Sequence, residues 1–98
     1  MAQIIWTEPA RMALDSIADY IALENPDAAR LYVKKVSTSV KQLVHFPRSG
    51  SRIPEAPRKG ARQLVIKPCR VFYRIRGDDI VILYVMRTER LFRKEFLR

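Results

Sequence analysis

Cysteine is nearly missing from this chain. The 98 residues hold one, Cys69, which excludes an internal disulfide and predicts a reducing, cytoplasmic setting. No run of 18 apolar residues occurs, so no segment is expected to cross a bilayer as a helix and no membrane partner is expected. The opening Met-Ala-Gln-Ile-Ile-Trp has neither the basic region nor the apolar stretch of a secretory signal. Histidine and tryptophan appear once each, as His45 and Trp6, and there are three glycines. Such sparse His and Cys leave no metal-ligand cluster, and no Gly-rich phosphate loop or nucleophile elbow is present. The sequence therefore predicts no metal and no cofactor.

Acidic residues are also few: ten, against nineteen Lys and Arg, for a net charge of +9. The imbalance is confined to one half. Residues 1–45 carry five basic and five acidic side chains, whereas residues 46–98 carry fourteen and five. That segregation predicts a neutral scaffold with a basic working surface, and hence an anionic partner. Hydrophobic residues make up 48% of the chain, enough for one modest core in a single domain of this size.

The stretch Lys67 to Arg76, K-P-C-R-V-F-Y-R-I-R, alternates cleanly. Cys69, Val71, Tyr73 and Ile75 fall on one side; Arg70, Phe72, Arg74 and Arg76 fall on the other. A period of two predicts a β-strand with one core face and one solvent face. The turn Arg76-Gly77-Asp78-Asp79 joins it to a strand over 79–87 that is apolar on both sides, as a central strand would be. Tyr73 and Tyr84 are both expected to face the core.

Upstream, Gln3 to Trp6 reads as a short strand. Thr7-Glu8-Pro9 opens a first helix, with Thr7 as cap and Pro9 where a missing N–H costs nothing. Ala10, Ala13, Leu14, Ile17, Ala18 and Ile21 recur at helical spacing, and the helix ends near Glu24. Asn25-Pro26 starts a second helix, running to about His45, with Ala29, Val33, Val36, Val40 and Leu43 inward and Leu31 and Tyr32 on its margins. So short a link predicts an antiparallel helical hairpin. Prolines and glycines make 46–60 a loop. Ala61 to Ile66 reads as a strand in which either Leu64 and Ile66 or Gln63 and Val65 face inward, because a one-residue slip exchanges the faces. The tail, 87–98, carries Leu91, Phe92, Phe96 and Leu97 among charges and can form a short helix. The expected fold is α+β, in the order β-α-α-β-β-β: an antiparallel helical hairpin packed on a small, mainly antiparallel sheet.

Several segments together resemble the ParE/RelE superfamily of toxins from bacterial type II toxin–antitoxin systems. They are Ile5-Trp6-Thr7-Glu8-Pro9-Ala10, Ile17-Ala18-Asp19-Tyr20-Ile21, Asn25-Pro26-Asp27-Ala28-Ala29, Phe46-Pro47, Arg62-Gln63-Leu64-Val65, Cys69 to Ile75, and Ile80 to Arg90. The resemblance covers nearly all of 1–98, read as one toxin domain. It implies a cognate acidic antitoxin as partner and one of two activities. ParE-like members poison DNA gyrase by binding; RelE-like members cut messenger RNA on the ribosome.

Metal-free RNA cleavage needs a base for the 2′-hydroxyl, cations for the phosphorane and an acid for the leaving oxygen. The position matching a RelE-like catalytic arginine falls near Val65 and Ile66. The tail offers Phe92 and Phe96 where an acid or base is wanted, and a phenyl ring moves no proton. The helix openings and the Arg-Val-Phe-Tyr-Arg stretch look more like ParE, which implies a gyrase poison without catalytic residues. The chain departs from ParE where a His-Gly pair often follows the last strand: Met86-Arg87-Thr88-Glu89-Arg90 stands there instead. The residues expected to contact a target or antitoxin are Arg62, Arg70, Arg74, Arg76, Arg87, Arg90 and, if the tail is unpacked, Phe92. Glu89 is expected to pair with a neighbouring arginine, and Cys69 to be a small core residue.

Overall fold

The computed structural model describes residues 2–97. Five strands form one sheet in the order β1-β5-β4-β3-β2: β1 is Ile4–Trp6, β2 Ser51–Arg52, β3 Ala61–Ile66, β4 Cys69–Arg76 and β5 Asp79–Arg87. Only β1 runs parallel to its neighbour; the other pairings are antiparallel. Helices α1 (Glu8–Ala22) and α2 (Pro26–Lys41) lie between β1 and β2 in sequence, and α2 ends in a 3-10 turn, Gln42–Val44. This is the expected β-α-α-β-β-β order with one addition. β2 is two residues long, within the 46–60 loop, and pairs only with Arg62 and Gln63.

The helix starts work as their sequences imply. Thr7 Oγ1 accepts from the Ala10 N–H and donates to the Ile82 carbonyl at 2.7 Å. One hydroxyl thus caps α1 and ties its first turn to β5. Asn25 Oδ1 accepts from the Ala28 N–H at 3.1 Å, capping α2 ahead of Pro26. Ala10, Ala13, Leu14, Ile17 and Ile21 of α1 then pack against the sheet.

On α2 the buried row is Ala29, Tyr32, Val36, Val40 and Leu43. Tyr32 therefore takes the inward place and Val33 the margin, the reverse of the expectation. The physical reason is a hydrogen bond: the Tyr32 hydroxyl donates to the Ile66 carbonyl across the core. An aromatic ring with a satisfied polar tip is a better core residue at this depth than the shorter valine. Between the strand faces left open by the sequence, Leu64 and Ile66 point to the helices, while Val65 is exposed.

The other face of the sheet differs from the reading of β4 as half solvated. Phe72 is fully buried, not framed by water and arginine. It packs with Ile53, Ala56, Ala61, Leu83, Met86 and Leu97 in a second, smaller core built by the 53–61 loop and the tail. Burying such side chains contributes about 1.5–3 kcal/mol each, so the loop and tail are part of the fold. A register shift between Phe72 and Tyr73 also changes the parity of β5. Ile80, Ile82 and Val85 face the helices, whereas Tyr84 and Met86 face the second core. Tyr84, expected to face the core with Tyr73, is instead half-buried against the second core, because the bulge breaks the alternation that would have kept the two on one face.

Candidate functional site

The arginines of the basic half divide into those the fold uses and those it leaves free. Arg70 grips Glu55 with two hydrogen bonds, Nη1 to Oε1 at 3.0 Å and Nη2 to Oε2 at 2.8 Å. It also donates to Gln63 Oε1 at 3.0 Å and lies 5.2 Å from the centre of the Phe72 ring. This grip holds the Glu55 carboxyl below its ordinary range. Arg74 donates to the carbonyls of Lys59 at 2.6 Å and Leu97 at 3.1 Å, joining loop to tail. Both side chains close the second core, which leaves few of their donors for another molecule.

Arg62 is half-buried and donates to the Gly50 carbonyl at 2.7 Å. Arg76 is exposed at the end of β4, beside Gly77. Arg76 sits at the turn end of the β4–β5 hairpin, while Arg62 stands on β3 opposite Tyr73. Arg87 and Arg90 belong to the other end of the hairpin, because Arg87 pairs with Cys69 and Arg76 with Asp79. The single basic surface expected from the charge count is thus two basic poles, one spread from the hairpin turn across β3 and the other at Arg87 and Arg90.

At the Arg87 pole the guanidinium carbon sits 4.9 Å from the centre of the Tyr20 ring, and Nε contacts Glu89 Oε1 at 2.5 Å. Glu89 raises the Arg87 pKa, and Glu89 itself is held low by its own backbone N–H and by Arg87. Its pairing with an arginine matches the expectation. Beneath this cluster runs a cleft of about 450 Å³ between α1 and β5, floored by Pro9, Met12, Ile17 and Met86 and rimmed by Arg87 and Arg90. A shallower extension of about 360 Å³ passes Tyr20 and Glu89. The mixture of apolar floor, aromatic ring and cations is suited to gripping a protein surface. As an acid–base centre it is poor: a carboxylate held ionised is a weak base and no acid near neutral pH.

Tyr20 was absent from the sequence-derived set. Met12, Ser16 and Tyr20 stand four residues apart on α1 and all line these clefts, so the spacing carried a signal. Phe92 lies nearby in sequence but is not an exposed anchor. It is half-buried, edge-on to Phe72 with centroids 5.6 Å apart. The exposed apolar residue of the tail is Leu91, at 81%. Phe96 stacks on Tyr84 at 4.3 Å.

On the outer side of the helical hairpin a groove of about 580 Å³ is floored by Ala18, Ala22, Ala29 and Val33, with Arg30, Lys34, Lys41 and one acid, Asp19, along it. Cys69 is buried beside Tyr32, and burial pushes its thiol pKa up, as expected for a core residue. Among the described residues no three or more His, Cys, Asp or Glu side chains are placed to hold a metal ion.

Comparison with known proteins agrees with this architecture. A solved chain of the chromosomal ParDE TA system from P. aeruginosa superposes with a TM-score of 0.75 at 32% identity, covering 91% of this chain and 98% of that one. Y4kP of Sinorhizobium fredii is 40% identical over 88 residues, spanning 86% of this chain and 85% of its own. Toxin ParE3 of Caulobacter vibrioides is 31% identical over 88% of this chain and 86% of its own length. Toxin RelE2 of the same organism is 33% identical over 83% and 88%. A sequence family described as the ParE toxin of the type II toxin–antitoxin system, parDE, matches residues 4–92. That match runs from β1 through the Arg87 cluster to Phe92, and the chain therefore belongs to the ParE family of type II toxin–antitoxin toxins.

Proposed function

We propose that this chain inhibits DNA gyrase by binding it, and that a cognate acidic antitoxin holds it inactive in the cytoplasm. The Arg87 cluster carries the reading. It sets two cations and an aromatic ring over an apolar cleft, and its one carboxylate is held in the ionised form. Such a site binds through burial and charge and has no group poised to carry a proton. The groove on the outer side of the helical hairpin supports the antitoxin half of the proposal. Its apolar floor and rim of three cations against one acid fit an amphipathic helix with an acidic face. The solved relative from a ParDE system points the same way.

A RelE-like ribonuclease is the second reading, favoured by the similarity to Toxin RelE2. In it Arg87 and Arg90 would stabilise the phosphorane. Two assays on the purified chain separate them. In a gyrase supercoiling assay, micromolar protein is expected to inhibit or to trap cleaved DNA. In a translation reaction the messenger is expected to stay intact. Uninhibited supercoiling together with codon-positioned cuts would replace the first reading by the second.

A further inference from the structure

The basic pole opposite Arg87 contains a concavity of about 620 Å³ that the proposed toxin activity does not use. Four arginines line it: Arg48 from the segment after α2, Arg52 from β2, Arg58 from the loop and Arg62 from β3. Its floor is small or apolar, with Gly60, Ala61, Ile75 and Gly77. No carboxylate is among its lining residues: Glu55 is held by Arg70, Asp79 accepts from the Gln3 N–H, and Asp78 is exposed in the turn after Gly77.

This convergence works against folding. Arg52 and Arg62 are direct cross-strand partners in the β2–β3 ladder, and like charges placed opposite one another destabilise a sheet. Nor does the fold neutralise them. Arg62 is oriented by the carbonyls of Gly50 and, at 3.5 Å, Arg48. Those contacts use one of its nitrogens and leave Nε and Nη2 without a protein partner among the described contacts. Arg48, Arg52 and Arg58 are exposed around it. Guanidinium groups are suited to phosphate oxygens, which they bind in pairs.

We propose that this concavity binds a compact polyphosphate anion through consecutive phosphate groups, supplied by a nucleoside triphosphate or by an inorganic polyphosphate. Its size lies in the range of small-molecule sites, roughly 300–1,000 Å³. No aromatic ring lines it, and stacking rings are what single-stranded nucleic acid sites use to hold bases. The chemistry on offer is therefore for phosphates and not for an extended strand. Gly60 and Gly77, at φ +74° and +61°, turn the chain beside the concavity in a conformation that other residues rarely adopt.

The test is calorimetric titration of the full chain with inorganic tripolyphosphate, with ATP and with a twelve-nucleotide oligo-dT, at low and physiological salt. Tripolyphosphate and ATP are expected to bind one to one at micromolar to millimolar concentration. Equal affinities would assign recognition to phosphates alone; a tenfold preference for ATP would assign the nucleotide as the natural source. The paired variant R52Q/R58Q, whose side chains are exposed, is expected to lose at least tenfold in affinity, while R87A/R90A keeps it. Amide NMR shifts on titration are expected at Gly60 and Gly77 and not at Thr88 to Arg90. Absence of binding by both phosphates at millimolar concentration would overturn the proposal. So would equal loss in both paired variants, or oligo-dT binding more than tenfold tighter than tripolyphosphate. None of these outcomes bears on the gyrase assay, which reads the opposite pole.

Discussion

The two hydrogen bonds from Arg70 to Glu55 fasten the 53–60 loop to the start of β4. Arg70 is the better shielded partner, with its side chain 12% exposed against 40% for Glu55. A fork of this kind fixes the loop in one place, and Ile53 and Ala56 can then cover Phe72.

A pH dependence follows from that pair. The Glu55 carboxyl is held below its ordinary value in the folded chain, chiefly by the Arg70 hydrogen bonds. Its stabilisation is complete above the unfolded carboxylate value and is lost as pH falls through the folded one. Glu55→Gln is expected to lower stability at pH 7 by about 1 kcal/mol, the figure for a charged hydrogen bond reduced for the exposure of the carboxylate. Urea unfolding at pH 7 and pH 3 checks it. The difference between wild type and variant should be smaller at the lower pH; a constant difference would remove Arg70–Glu55 as its source.

Gly50 marks a close approach that the second prediction uses. The Tyr73 hydroxyl accepts from the Gly50 N–H at 3.0 Å and donates to the Pro47 carbonyl at 2.7 Å. Tyr73→Phe strands both backbone groups and should cost about 1–3 kcal/mol. A Cβ at position 50 would stand 2.5 Å from the Tyr73 hydroxyl and 2.6 Å from the Gln63 carbonyl. Gly50→Ala is therefore expected to destabilise by about 1–3 kcal/mol through overpacking. Adding Tyr73→Phe should not rescue it, because the Gln63 carbonyl remains in the way. Thermal melts of the two single variants and the double variant decide this; recovery in the double would show that the hydroxyl alone was the obstacle.

The element order and the α1 stripe were legible because they rest on local signals: Thr7 and Asn25 as caps, and apolar residues at helical spacing. The helix-facing side of β4 was legible for the same reason, since Cys69, Val71 and Tyr73 keep strict alternation. The second core was not. Phe72 looks solvent-facing between Arg70 and Arg74 until Ile53, Ala56 and Leu97 arrive from distant segments. Tyr84 was misplaced because alternation assumes an unbroken ladder, and the register shift breaks it. The same gap explains the arginines. Sequence shows a basic half; only tertiary approach shows that Arg70 and Arg74 are occupied while Arg48, Arg52, Arg58 and Arg62 converge.

The tail supplies a third prediction, which separates packing from contact. Phe96 stacks on Tyr84 and Phe92 meets Phe72 edge-on. Phe92→Ala and Phe96→Ala should each lower stability by about 1–3 kcal/mol, less than full core truncation because both rings are half-buried. Leu91→Ala should change it by less than about 0.5 kcal/mol, as Leu91 touches little. Chemical denaturation gives these values directly. A large effect at Leu91, with none at Phe92 and Phe96, would mean that the tail packs by its other side.

At the Arg87 pole, stability and target binding should come apart. Arg87 and Arg90 lie at the rim of the cleft, and the Arg87–Glu89 pair there is open to solvent and screened. The variant R87A/R90A is therefore expected to unfold at the wild-type urea concentration, yet to need at least tenfold more protein for half-inhibition of gyrase. Tyr20 refines the point. Its ring face meets Arg87, and among the described hydrogen bonds its hydroxyl makes none. Tyr20→Phe keeps the face and should inhibit like wild type, whereas Tyr20→Ala frees the arginine and should inhibit several-fold less well. Half-inhibitory concentrations for the four proteins, measured beside their unfolding midpoints, provide the comparison. Full inhibition by R87A/R90A would move the gyrase contact away from this cluster, and the outer groove of the helical hairpin would become the next surface to mutate.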